Sequence, residues 1–501
     1  MSFRVYGFRL VISLFSLQLV AGFLSAFYSP LITPLARSVG MHDSDWNWIE
    51  SATTIVGAIA IPLLTRLGDI VGYKKILLFS VVMNAASCWW TAFAGDFWSL
   101  LASYTIAAFS AVWFPFTLAI IRLKASEGDS EALVVRASSA LTVVSMVGAA
   151  IATLIGGTLF TAAGGSAALE AAELAGVEPA SVEAFTSVLR LTLIVPALFS
   201  TVLIFLIAFM LPSTGGGTRE RFDVKGLAFL GGILMMLIIG LGILKLLGPG
   251  ALPGWLVIAI ALVLIYPFVK LMLRTEEPAF DVRIFARGET GAPQIAQFFI
   301  SISYSTTLIP LVTYAGTNPD VYGYGMGLDS AGVSIVAGMA IVTITATAAV
   351  VAGLGTRVNR AVLLRVSPFV HACEFVFLIF FHDTLLHGII AVVIGGIGAG
   401  IFLPGIPAAI VNSAPFGKTA TYLGVTNSVG IIGISVGSAV FAIMLSQTAD
   451  SEGTAAPFAG YVAVWITAML CSIGAGIVLS TFTRQPASTG DTIEKEYAVD
   501  A

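Results

Sequence analysis

Fourteen apolar runs, separated by short polar or Gly-rich intervals, set the pattern of this chain. They cover residues 8–33, 45–66, 74–94, 97–121, 137–162, 187–211, 225–247, 252–273, 291–314, 329–353, 361–381, 386–409, 422–446 and 459–482. A hydrocarbon core of ~30 Å needs ~20 residues of helix. Each run meets that length, so the pattern predicts fourteen membrane-spanning α-helices. Alternating apolar strands of ~10 residues, the mark of a membrane barrel, do not occur. Between the sixth and seventh runs, Pro212 to Lys225 (PSTGGGTRERFDVK) reads as a flexible linker. Thr161 to Glu183 holds Glu170, Glu173, Glu178 and Glu183 but no Lys or Arg. A short amphipathic helix and a disordered loop both fit it. The tail after Arg484 reads as disordered.

Composition narrows the class. The 501 residues are 57% hydrophobic and 10% charged, with a mean hydropathy of +0.97. A soluble domain carries ~25% charged residues, so this chain has too few charges to cover a soluble surface. It reads as an all-α polytopic membrane protein. Cys88, Cys373 and Cys471 lie inside apolar runs and read as packing residues. There is no Gly-x-x-x-x-Gly-Lys-Ser/Thr phosphate loop and no basic patch for nucleic acid. Four His residues are few for a zinc centre. Neither an enzyme nor a nucleic-acid partner is expected, and no cofactor beyond a proton gradient.

Charge also orients the spans. Arg4 and Arg9 precede the first run, which outlasts a signal peptide and reads as a retained span. With the N-terminus inside, only Arg37, Arg190 and Lys245 lie in or beside outer connections. The remaining Lys and Arg, such as Lys74, Lys75, Arg122, Lys124, Arg219, Arg221, Arg283, Arg287, Arg357 and Arg360, fall inside or in the tails. Positive residues mark the cytoplasmic side, so both termini are expected in the cytoplasm of a multi-pass plasma-membrane protein.

The chain repeats itself. Leu67-Gly68-Asp69-Ile70-Val71-Gly72-Tyr73-Lys74 follows span 2, and Leu354-Gly355-Thr356-Arg357-Val358-Asn359-Arg360-Ala361 follows span 10. Ser145-Met146-Val147-Gly148 in span 5 matches Asn427-Ser428-Val429-Gly430 in span 13. Both pairs map span n onto span n + 8. Two six-helix halves with spans 7 and 8 inserted between them fit this offset, as in transporters built from parallel repeats. The expected units are a six-helix bundle over 1–211, a linker and two inserted helices over 212–287, a second six-helix bundle over 288–482, and a cytoplasmic tail over 483–501.

On these residues the chain resembles the major facilitator superfamily, in its fourteen-span drug:proton antiporter branch. The family's loop 2–3 motif, Gly-x-Leu-x-Asp-Arg-x-Gly-Arg-Arg/Lys, is met by Leu67, Asp69, Gly72 and Lys74, followed by Lys75. It departs at Thr65, Ile70 and Tyr73. Glu277 to Phe285 (EPAFDVRIF) and Phe222 to Gly226 (FDVKG) also look like that branch. The span-5 motif Gly-Pro-x-x-Gly-Gly is replaced by Ala152-Thr153-Leu154-Ile155-Gly156-Gly157, which keeps the small-residue stripe Gly148, Ala152, Gly156. The family's span-4 Arg has no counterpart in Ala102-Ser103-Tyr104-Thr105. The resemblance implies a central cavity lined by spans 1, 4, 9 and 12, and a conformational latch made by Asp69, Gly72, Lys74 and Lys75. The alternative is an anchor for an inside-positive loop, which Lys74 and Lys75 fit, whereas Asp69 and Gly72 fit the latch better.

Candidate chemistry sits on few residues. Glu50 opens span 2 in Trp46-Asn47-Trp48-Ile49-Glu50, near the outer end, since Asp69 lies ~28 Å further along a helix. It is either a proton or cation site or an interfacial carboxylate beside an aromatic belt. His371 and Glu374 share one face of span 11 at i, i+3, as a proton-coupling pair or a structural polar pair. Gln18, Tyr28, Trp113, Gln297, Ser301, Tyr304 and Asn427 are candidates for the substrate cavity, or for hydrogen bonding between helices. The few fixed charges expected at mid-membrane suit a lipophilic or neutral ligand better than a sugar phosphate. The leading expectation is a monomeric, proton-driven exporter of lipophilic or amphiphilic small molecules by alternating access. A lipid or metabolite facilitator without proton antiport, and a non-transporting sensor or scaffold, stay open.

Overall fold

Proline and glycine decide where the apolar runs bend and stop. The computed structural model describes residues 7–124, 130–212, 223–248, 250–275, 278, 280, 282–286, 288–354, 357–413, 419–446 and 455–482, without the side chains of some of these, Thr65, Asp69 and residues 130–139 among them. The runs form α1 (Phe8–Phe27), α2 (Asp43–Val71), α3 (Tyr73–Ala92), α4 (Phe97–Ala107, resumed as Trp113–Lys124), α5 (Ser130–Ala162), α6 (Glu183–Met210), α7 (Val224–Leu247), α8 (Leu252–Arg274), α9 (Gly288–Leu308), α10 (Ser330–Leu354), α11 (Arg360–Phe380), α12 (Leu385–Ser413), α13 (Thr419–Ser446) and α14 (Phe458–Phe482). Thirteen are long and apolar enough to span a bilayer among the described residues. The other, α2, has 29 residues and so measures ~43 Å. No strand occurs among the described residues. The linker around 213–222 and the tail over 483–501 lie outside them.

Proline lacks the N–H that a helix interior needs, and its ring meets the carbonyl four residues back. Accordingly α1 breaks at the 3-10 turn Ser29–Leu31, which contains Pro30, and resumes as Ile32–Ser38. The second half does the same. Ile309 interrupts α9 before Pro310, and the chain resumes as Pro310–Gly316. α4 loosens into the 3-10 turn Ala108–Val112 ahead of Pro115. Between α2 and α3 the chain turns at Gly72, whose φ of +105° excludes a side chain. The acidic connection Thr161 to Glu183 resolves as the helix Gly165–Leu174 and a 3-10 turn, Pro179–Ser181.

Packing follows the repeat. In the first half α1 packs on α5, α2 on α4, and α3 on α6; in the second, α9 packs on α13, α10 on α12, and α11 on α14. Each pair maps to its mate by adding eight. The halves meet through α2 on α13 and α5 on α10, which are again related by that shift. α7 and α8 pack on each other, and α7 alone of the two makes substantial contact with α2 and α13. This is a major facilitator fold: two six-helix bundles with two inserted helices.

The core is asymmetric along the helices. At the end where Arg37 lies, one apolar cluster joins both halves, from Phe23, Phe27, Leu35 and Phe160 to Leu311, Val336, Phe441 and Trp465. At the opposite end, where Lys74 lies, the clusters are separate. Leu14, Val81, Phe116 and Ile207 belong to one, and Ile300, Phe402 and Leu479 to another. This conformer is therefore closed between its halves at the Arg37 end and divided at the Lys74 end.

Candidate functional site

The first turn of α2 is fixed by a capping box, in which Ser44 N–H donates to His42 Nδ1 and His42 N–H to Asp45. Two turns on stands Glu50. It is half-buried and has no hydrogen-bond or ion-pair partner among the described residues. Tyr104 of α4 is near enough to feel its charge. Tyr104 also lies edge-on to Tyr28 at 5.4 Å and to Trp46 at 5.1 Å between ring centroids. The sequence placed Glu50 beside an aromatic belt; in the structure Tyr104, itself packed on Tyr28 and Trp46, is the ring near it. An unpartnered carboxylate is costly away from water. A proton or a cation removes that cost.

The second ionisable group is deep in the C-terminal bundle. Glu374 and His371 are each 1% exposed. His371 Nδ1 is 3.2 Å from Gly395 O and 3.3 Å from Glu374 Oε2. A carbonyl only accepts, so in the neutral ring Nδ1 carries the proton, leaving Nε2 as an acceptor; Nε2 has no partner among the described residues. Thr307 of α9 donates to Glu374 Oε1 at 3.3 Å. Space for the carboxylate exists because residue 395 is Gly: a Cβ there would overlap Glu374 Oε2. The pair thus bridges α9, α11 and α12.

The Arg37 end carries a polar network that sequence reading missed. Arg37 Nη1 donates to Asp43 Oδ1 at 2.9 Å, and both side chains are buried, at 2% and 0% exposure. Arg37 Nε reaches Glu173 Oε1 at 3.3 Å. Burial pushes the Glu173 carboxyl up, while Arg37 pulls it back. Asp43 Oδ2 then accepts from Ala456 N–H at 3.3 Å and Tyr461 OH at 3.4 Å, across to the second half. Tyr324 OH donates to Ala456 O. Lower in the same seam, Ser51 and Ser435 exchange hydrogen bonds between α2 and α13. Asn47, one turn above Ser51, is wholly buried, and neither amide atom has a partner among the described residues.

The proposed cavity residues divide into groups. Gln18 is buried and donates to Thr117 of α4 at 3.1 Å. Trp113 is 1% exposed and donates to Ser80 of α3 at 2.9 Å. Gln297 bonds Ser301 at 3.1 Å, and both lie against Gly430 of α13. In this conformer Gln18 and Trp113 tie helices together, while Gln297 and Ser301 pair within α9. Tyr28 is half-buried beside Tyr104; Tyr304 is half-buried and near Glu374. Asn427 is exposed. It shares a stripe with Ile431 and Ser435 at four-residue spacing, so the stripe that meets α2 at Ser435 is open at Asn427.

In the loop 2–3 stretch, Gly72 is the buried turn and Asp69 sits in the last turn of α2, its side chain outside the described residues. Lys74 donates to Ala208 O at 2.9 Å in the last turn of α6, where a cation meets the negative helix end. Lys75 is exposed. Where the branch carries Arg, Ser103 is buried and tied to Ser87 and Thr91 of α3.

The family model described as Major Facilitator Superfamily matches residues 14–438. The chain belongs to that superfamily. With thirteen bilayer-length helices among its described residues, it is a multi-pass membrane protein of that superfamily. It is 25% identical over 270 residues to the uncharacterized MFS-type transporter YwoD of Bacillus subtilis (strain 168), a match over 51% of this chain. The chain spans about half the length of that curated relative. Among solved structures, the nucleoside transporter NupG aligns with a TM-score of 0.63 at 10% identity, over 95% of this chain and 100% of its own. A POT family transporter in complex with a thioalcohol-conjugated peptide aligns with 0.64 at 14%, over 96% and 99%. The human organic anion transporter MFSD10 gives 0.58 at 16%, over 94% and 99%. These likenesses establish the fold alone.

Proposed function

We propose that this transporter exports lipophilic or amphiphilic small molecules in exchange for protons, by alternating access, as a member of the fourteen-span drug:proton antiporter branch. Glu50 carries the reading. It is a half-buried carboxylate near Tyr104 with no hydrogen-bond or ion-pair partner among the described residues, in a molecule whose described apolar core joins the halves at one end. Protonation would neutralise it in one state, and a substrate or cation would do so in the other. Glu374 with His371 is the secondary proton site. The transporter acts as a monomer in the plasma membrane, with both termini and the Lys74 end in the cytoplasm, so this conformer is open inward. Bundles 1–211 and 288–482 rock about the linker and inserted pair of 212–287, and the tail 483–501 stays cytoplasmic. The loop latch of Asp69, Gly72, Lys74 and Lys75 holds one state.

The test is efflux of a lipophilic dye from proteoliposomes under an imposed pH gradient. Efflux should depend on the gradient, and Glu50→Gln should lose that dependence. Wild-type efflux unchanged on collapsing the gradient would sink the coupling. A second reading, transport without proton antiport, draws on Ser103, which provides no cation where the branch has Arg. Counterflow without any gradient favours it.

A further inference from the structure

Where the halves close on each other at the Arg37 end, they leave a cavity of about 260 Å³. That is a little under the ~300–1,000 Å³ of drug-sized sites, so it suits a smaller ligand. Its walls come from both halves. The first gives Pro30, Thr33 and Pro34, at the break in α1, and Glu170 and Glu173 of the helix Gly165–Leu174. The second gives the connection from Gly316 to Asp329 and the first turn of α10. Backbone hydrogen bonds hold that connection in place. Asn318 accepts from Asp320 N–H at 3.0 Å, capping the short helix Pro319–Tyr322. Gly327 and Leu328 N–H return to the carbonyls of Thr317 and Ala315, each at 3.0 Å.

Two independent features point to a ligand. The first is charge. Glu170, Glu173, Asp320 and Asp329 line the cavity, and no Lys, Arg or His does so among the described residues. Glu173 is met from behind by Arg37, and Asp329 accepts from Gly332 N–H at 2.8 Å, capping α10. Glu170 and Asp320 are exposed, with no ion-pair partner among the described residues. The second feature is a pair of hydroxyls left without hydrogen bonds. Thr33 is 8% exposed and Ser330 6%. Both line the cavity, and neither hydroxyl has a partner among the described residues. Thr33 Oγ1 faces Gly316 on the opposite wall, where a Cβ would come within 3.0 Å of it. An unpartnered hydroxyl away from bulk water costs free energy that a ligand's donor would recover.

We propose that this cavity binds a small organic diammonium ion from the aqueous phase, with ammonium groups shared between the acids of the two halves and N–H donated to the Thr33 and Ser330 hydroxyls. A metal ion does not suit it, because no three His, Cys, Asp or Glu side chains among the described residues converge to hold one. Two charges on a methylene spacer match carboxylates spread over two walls, and the spacer meets the apolar lining of Pro30, Leu169 and Val333. Because the acids belong to different halves, occupancy favours the conformer in which this end is closed. The proposal goes beyond the exchange of substrate for protons and does not depend on it.

The experiment compares 1,5-diaminopentane, pentylamine and magnesium on the full chain at fixed ionic strength, read by thermal unfolding. The chain is held in phosphatidylcholine nanodiscs, whose headgroup has no N–H to offer. The diamine should raise the unfolding midpoint at concentrations ~5–10-fold below those pentylamine requires, a value between an exposed ion pair and a buried charged hydrogen bond. Magnesium should add nothing beyond sodium at the same ionic strength. Glu170→Gln and Asp320→Asn should each bring the diamine towards the level of pentylamine, and Thr33→Val should weaken it ~2–10-fold. In a chain freed of native cysteines, the diamine should also slow the reaction of Val336→Cys, one turn along α10 from Val333, with a thiol reagent. Equal stabilisation by diamine and pentylamine, or by magnesium, would mean plain screening of the acids and overturn the proposal, and that comparison needs no variant to fold. So would an undiminished diamine preference when Glu170→Gln and Asp320→Asn are combined, or a Val336→Cys reaction that the diamine leaves unchanged.

Discussion

Asp43 touches more of the molecule than its position at the tip of α2 suggests. It neutralises Arg37, and it accepts from Ala456 and Tyr461 of the other half. Breaking a buried ion pair from one side costs ~3–5 kcal/mol, because the remaining charge is stranded. Glu173 still reaches Arg37, so Asp43→Asn should cost about 3 kcal/mol, the low end of that range. The loss falls on the closed Arg37 end. In a background freed of native cysteines, a cysteine replacing Val336, which is 1% exposed, should react faster with a thiol reagent once Asp43 is Asn. Unchanged reactivity would show that this network does not hold the end shut. Nothing in the sequence announced the network. Its partners lie 413 and 418 positions from Asp43, and Tyr461 has no motif around it. Glu50 and the His371–Glu374 pair were legible, because an acid inside an apolar run stands out. The directions of Gln18 and Trp113 were not. Both point into helix contacts, which depends on how α1, α3 and α4 are rotated.

Among the helices, glycines decide which surfaces meet. Gly148 and Gly156 on α5 lie against backbone oxygens of Leu19 and Phe27 on α1, and Ala152 between them is wholly buried. The stripe read from sequence thus faces α1. Gly157, one residue on, faces the other half, where a Cβ would overlap Ser330 O and Ser334 Oγ of α10. Gly430, Gly433 and Gly437 do for α13 and α9 what the α5 stripe does for α5 and α1. Gly157→Leu should leave the bundles folded but oppose closure at the Arg37 end. Overpacking of ~1–3 kcal/mol corresponds to a shift of roughly 5–150-fold between two states. Cysteines at Thr161 and Ala331, which touch across this seam, should crosslink less in Gly157→Leu by about that factor. Equal crosslinking would show that the helices part and re-pack elsewhere. The spans themselves were legible from apolar run length, and the two halves from the shared offset. The breaks at Ile309 and at Ala108–Val112 were not, since a proline marks strain without saying how the chain will relieve it.

On the scale of the whole molecule, the merged core at one end and divided cores at the other define which side is open. The stripe of Asn427, Ile431 and Ser435 opens towards the Lys74 end. A cysteine at Asn427 should therefore react with a charged, membrane-impermeant thiol reagent applied from the cytoplasmic side, and closure of that end should protect it. Labelling from the outside alone would reverse the orientation drawn from the lysines and arginines. The separation of packing partners along the chain also bears on biogenesis. Every pairing within the first bundle lies inside the first ~210 residues, so that bundle can assemble while the rest is still on the ribosome. The seam faces of α2 and α5 have no such luck in timing. Their partner faces on α13 and α10 follow much later, and α13 begins roughly 350 residues after α2 ends, which at ~5–20 residues per second is a wait of about 20–70 s. Through that interval Ser51, Asn47 and Gly157 face lipid or a helper protein of the insertion machinery, and a cell short of such helpers should lose this transporter first at the stage when half of it is already folded.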